Sequence, residues 1–74
     1  MTARRIRPGV YVMQQPSGEY FIERRAGGTW WVTGFDPHGM VTVSDGLWST
    51  KAAAERVVPV YDAYFRFANI GSQP

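Results

Sequence analysis

Residues 19–35, EYFIERRAGGTWWVTGF, decide the fold of this chain. Two runs rich in β-branched and aromatic residues flank an Ala-Gly-Gly break. Alternation within EYFIERR and TWWVTGF is the pattern of half-buried strands, and the paired glycines accept the positive φ that a tight hairpin demands. The flanking sequence extends this hairpin in both directions. Upstream, GVYVM at residues 9–13 reads as a strand, separated from the hairpin by the turn QQPSG. Downstream, DPHG at 36–39 reads as a turn, MVTVS at 40–44 as a short fourth strand, and Asp45-Gly46 as a further turn.

The hydrophobic period then changes. Ser49 or Thr50 suits a helix N-cap, and KAAAER at 51–56 is made of strong helix formers. Apolar residues recur from Ala53 through Val57, Val60, Tyr61, Tyr64 and Phe65 to Ala68 at helical spacing. Arg56, Asp62, Arg66 and Asn69 fall on other faces. Pro59 interrupts this pattern, because a proline inside a helix removes a backbone hydrogen bond at a cost of roughly 3 kcal/mol. The helix is therefore expected to kink at Val58, or to break there with Pro59 in the first turn of a second helix. Gly71 is expected to end it. The expected fold is α+β: a three- or four-stranded antiparallel β-meander with a C-terminal helix, kinked or broken at Pro59, packed on one face. Residues 1–8 read as a flexible basic arm, 9–70 as a single domain and 71–74 as a tail.

Composition narrows the function. A 74-residue chain buries only about 60% of the surface its unfolded form exposes, and domains of this size commonly need a supplement. Cysteine is absent and His38 is the single histidine, so disulfides, thiolate sites and multi-histidine sites within one chain are excluded; no metal or cofactor is expected. Dense aromatic packing or self-association is left as the supplement, in keeping with 15% aromatic residues. No apolar run approaches the ~20 residues of a membrane span. The basic N-terminus precedes no apolar signal core, which with the lack of cysteine leads to the expectation of a cytoplasmic protein.

No catalytic set assembles from the residue types present. Ser17, Ser44 and Ser49 lack a nucleophile-elbow context. His38 sits in a Pro-His-Gly turn with only Asp36 near it, and the six carboxylates are scattered. Gly27, Gly28 and Gly34 lie between strands and open no helix, so they form no phosphate loop. The expectation is a binding protein without a small-molecule substrate.

Strand alternation places Val10, Val12, Tyr20, Ile22, Trp30 and Val32 on the face that meets the helix, and Tyr11, Met13, Phe21, Trp31 and Phe35 on the other. One helix covers one face, so unless the C-terminal segment wraps around the sheet the second set forms an apolar surface without a cover. That surface, with Phe67 lying off the main helical stripe, is the expected protein interface, for a second copy or another protein. The alternative partner is nucleic acid. Bases stack on rings such as Trp31, while Arg24 and Arg25 at the hairpin end and Arg4, Arg5 and Arg7 on the arm neutralise phosphates. Seven of the eight basic residues are arginine, a choice suited to bidentate and stacked contacts.

GEYFIERR, the Gly-Gly hairpin, TWWVTGF and LWSTKAAAERVV together resemble the small three-stranded-sheet-plus-helix domains at the N-termini of phage-type tyrosine integrases, the arm-site DNA-binding or AP2-like domains. The similar stretch is residues 18–58, and its nearest element is STKAAAE at 49–55. The resemblance implies a DNA-reading sheet face on which Arg24, Arg25 and Trp31 would serve. With no recombinase domain in the sequence, it further implies a free-standing, phage-encoded protein.

Overall fold

The computed structural model describes residues 3–72, with side chains up to Ala68. The described residues form five strands and a helix: β1 (Arg4–Arg7), β2 (Val10–Gln15), β3 (Gly18–Arg24), β4 (Trp30–Phe35), β5 (Val41–Trp48) and α1 (Lys51–Ser72). The strands make one antiparallel sheet in the order β1-β2-β3-β4-β5, and α1 packs across one face. The α+β meander with a C-terminal helix is thus as expected, with five strands rather than three or four.

The added strand is β1. Arg4, Arg5 and Arg7 pair with Val12, Tyr11 and Val10, so residues 4–7 of the segment read as a flexible arm form an edge strand; Met1 and Thr2 lie outside the described residues. All four of its residues are exposed, so no burial period marks it in the sequence. β5 is also longer than expected. Asp45 and Gly46, read as a turn, lie inside it, and its pairing with β4 slips between Trp30 and Val32 and again between Gly34 and Phe35. Such bulges bend a strand and sharpen its twist.

The β2–β3 register corrects the assignment of faces. Gln15 stands opposite Gly18 across the two-residue turn Pro16-Ser17, which sets Met13 opposite Tyr20 and Tyr11 opposite Ile22. Directly opposed residues share a face. Tyr11 and Met13 therefore lie under the helix, and Val10 and Val12 lie on the far side with Phe21, the reverse of the expected phase. GVYVM is apolar at nearly every position, so its alternation carries no phase; the turn length sets it.

The core comprises Met13, Tyr20, Ile22 and Val32 from the sheet and Ala54 and Val58 from the helix. Thr50 caps α1, its Oγ1 accepting the Ala53 N–H at 3.1 Å. α1 runs as one helix through Pro59 and Gly71 to Ser72; it neither breaks at the proline nor ends at the glycine. Val58 and Asp62, on either side of Pro59, are both buried against the sheet, and that packing offsets the lost backbone hydrogen bond. Gln73 and Pro74, read as part of a tail, lie outside the described residues.

Asp62, expected on a polar face, is 2% exposed. Its Oδ1 accepts the backbone N–H of Ser17 at 2.8 Å, and its Oδ2 meets Arg66 Nε at 3.0 Å. The Ser17 hydroxyl in turn shares a 2.9 Å hydrogen bond with the Tyr20 hydroxyl. One carboxylate thus ties the helix to the turn that sets the β2–β3 register. Burial, with the nearby Asp62 charge assisting, pushes the Tyr20 hydroxyl above its ordinary pKa.

Candidate protein-docking surface

The sheet face turned away from α1 carries Val10, Val12, Phe21, Trp31 and Phe35, and it covers itself. Phe21 and Phe35 pack edge to face at 5.7 Å between ring centroids. Arg7 on β1 reaches Glu23 on β3 at 3.7 Å, spanning Val10 on the strand between them. Val12 is only 3% exposed. Trp31 lies against the bare backbone of Gly46, where any Cβ would collide with the indole ring. The Arg25 guanidinium sits over the same ring at 4.3 Å and also pairs with Glu23 at 2.9 Å. Phe21, Trp31 and Phe35 are half-buried as a result.

Of the residues expected to contact protein, Phe21, Trp31 and Phe35 share this face. Tyr11 and Met13 do not, by the register above: Met13 is core, and Tyr11 packs near Trp30 beneath the Lys51 ammonium. Of those expected to contact nucleic acid, Arg4, Arg7, Arg25 and Trp31 come together on the open face. Arg5 stands opposite Tyr11 and Arg24 opposite Trp30, so both belong to the helix side. Glu19 and Glu23 also lie on the open face, opposite Phe35 and Trp31, and reduce its positive potential.

Large apolar side chains more than half exposed stand in two places: on and beside β5, where Met40 is 67%, Val41 58% and Leu47 82% exposed, and along the outer side of α1. Val60 is 62% exposed, Tyr64 67% and Phe67 78%. At about 100° per residue these three fall within roughly 60° of one another on the helix. The expectation for Phe67, an apolar ring off the core stripe, matches its position. Tyr64 and Val60, read as core, are also outside.

Between this stripe and β5 runs an apolar groove of about 310 Å³, lined by Val43, Val60, Tyr61, Tyr64 and Phe65. On the other side of Val60 a second groove of about 350 Å³ is lined by Trp48, Ala53, Arg56, Val57 and Val60. Asp45 holds one lining residue of each groove. Its carboxylate accepts the Trp48 Nε1–H at 2.5 Å and the Tyr61 hydroxyl. Partial burial, then the Asp45 carboxylate, pushes the Tyr61 hydroxyl up to about 12.

Asp36 Oδ1 accepts the backbone N–H groups of His38 and Met40, each at 2.9 Å, so this carboxylate shapes the β4–β5 turn. Among the described residues no group of three or more His, Asp or Glu is placed to hold a metal ion, and no helix is long and apolar enough to cross a membrane. No family model, curated protein or solved structure matches the chain.

Proposed function

We propose that this chain is a non-catalytic protein-docking domain whose contact surface is the outer stripe of α1 with the grooves beside β5. The observation that carries this reading is the exposure of Val60, Tyr64 and Phe67 on one side of a helix whose other side is already packed. Three large apolar side chains at i, i+4 and i+7 are the anchors by which a helix meets another protein surface. The aromatic sheet face is the lesser candidate, because its rings are partly covered within the chain.

A photo-crosslinking phenylalanine analogue at position 64 tests the proposal. It is expected to form an adduct with another polypeptide, a second copy included, and Phe67→Ser is expected to abolish that adduct. The same probe at Arg4 is expected to give none. Failure of the position-64 probe to capture any polypeptide sinks the reading.

Nucleic-acid binding is favoured by one observation: Arg4, Arg7 and Arg25 border Phe21 and Trp31 on a single face. Against it stand the two glutamates there and the guanidinium already seated on Trp31. Base stacking on that ring requires Arg25 to leave it. Gel shifts with duplex and single-stranded DNA at two salt concentrations decide the matter, because a phosphate-driven complex weakens steeply as salt rises.

A further inference from the structure

We infer that the occupant of the α1 docking surface is a second copy of this chain, its helix lying antiparallel across the first with the two-fold axis near Tyr64. The inference rests on the docking reading above and adds its partner.

Four observations converge. First, no described side chain from Ala63 to Ala68 is buried, although Tyr64, Phe65 and Phe67 are mediocre helix formers. Helices in proteins draw most of their stability from packing an apolar face, so this stretch lacks a cover. The molecule measures 43 Å along its long axis against 21 Å across, as a helix overhanging its sheet requires.

Second, the surface complements itself. In antiparallel helices that cross at Tyr64, Phe67 of one copy stands at the level of Tyr61 in its mate. There the 310 Å³ apolar groove opens, and the two-fold operation places the mate's Phe67 in the first copy's groove. A two-fold interface requires knob and hole on the same patch. Antiparallel pairing also sets the helix dipoles in their favourable sense.

Third, the area suits a weak dimer. Tyr64 is 67% and Phe67 78% exposed, so at roughly 200 Å² per whole aromatic ring the two offer about 300 Å² per copy. Val60 and the half-buried groove residues bring the total for two copies to about 1,000 Å², the size of a weak, reversible interface.

Fourth, self-association by strand addition is disfavoured. Addition of a strand to a sheet edge needs a regular, unguarded edge. β1 presents Arg4, Arg5 and Arg7 and a register shift, and β5 carries two.

The chain contains no cysteine, which makes the geometry directly testable in the intact 74-residue chain. Sedimentation of the wild type is expected to show a reversible dimer, and Phe67→Glu is expected to weaken it at least about thirtyfold. Far-UV circular dichroism of Phe67→Glu is expected to match that of the dilute wild type. Tyr64→Cys places two thiols at the axis, where Cα atoms within about 7 Å permit a disulfide. It is expected to give a self-linked dimer on air oxidation, and Ala52→Cys is not.

A dimer that survives Phe67→Glu, or that links through Ala52→Cys and not through Tyr64→Cys, overturns the inference. A chain that stays monomeric at millimolar concentration overturns it as well. If that monomer's position-64 probe still captures a different polypeptide, the docking reading survives the loss of the second copy; if it captures nothing, both fall.

Discussion

The two halves of α1 are both rich in apolar residues and differ in fate. In the first half Ala54, Val58 and Asp62 face the sheet and are buried. Beyond Asp62 no described side chain is fully buried, and Tyr64 and Phe67 stand in solvent, as Val60 does before them. α1 carries apolar residues on two nearly opposite sides, and one sheet covers only one of them. The stripe that turns inward is the one with a polar anchor, because Asp62 meets the Ser17 backbone N–H and fixes the rotation of the helix.

The sharpest way to break this contrast is to charge each half. Val58→Asp buries an unpaired carboxylate, at a cost of several kcal/mol against a total of about 4–11 kcal/mol for a chain of this size. Loss of the folded signal in circular dichroism is expected, whereas Tyr64→Glu is expected to leave the fold intact. If both unfold, the halves do not differ as described.

Asp62→Ala removes the anchor and leaves the Ser17 N–H unpaired. A loss of about 2–3 kcal/mol is expected, seen as a fall in melting temperature of roughly 10–20 °C. Pro59→Ala acts in the opposite direction. It restores a backbone donor at the junction of the halves, on an exposed position, and is expected to raise stability by about 1–3 kcal/mol. A lower melting temperature for this variant would mean that the proline ring supplies a contact the helix needs.

The smallest effect concerns Tyr61, which links the halves to β5 through Asp45. Tyr61→Phe is expected to lower stability by about 1 kcal/mol at neutral pH. Folding holds its hydroxyl in the protonated form, with the pKa raised from 10.0 to about 12. That contribution is complete below pH 10 and fades as pH rises through about 12. The wild type is therefore expected to lose melting temperature over that window faster than Tyr61→Phe. Part of the alkaline loss is expected to remain in the variant, because Tyr20 is shifted in the same direction.

The parts of this fold legible in the sequence are those where one residue type has one use. The hairpin of residues 19–35 declared itself through alternation and paired glycines, and Gly27 and Gly28 do take φ of 90° and 81°. The helix start declared itself through Thr50. Ambiguity arose where a residue serves a contact instead of its local propensity. Asp45 and Gly46 look like a turn, yet one braces Trp48 and Tyr61 and the other clears space for Trp31. Asp62 looks like a solvated charge, yet it is an internal acceptor. β1 has no apolar period because an edge strand with every residue exposed needs none.

The candidate site was half legible for the same reason. Phe67 stood out because it breaks the period. Tyr64 and Val60 keep the period and so could not be told from core. Tyr11 and Met13 were misplaced because a run of apolar residues conceals its phase. The exposed stripe of Val60, Tyr64 and Phe67 lies on a second apolar side of α1, which periodicity alone does not separate from the first.

Trp48 gives this arrangement a practical consequence. Its indole N–H is held by Asp45, and its ring lines the groove beside Val60. Its fluorescence will therefore report the local polarity of that groove, shifting to the blue when a neighbour displaces water from it. With Trp30 and Trp31 replaced by phenylalanine, the protein becomes its own single-colour sensor of occupancy, with no dye to perturb the surface under study.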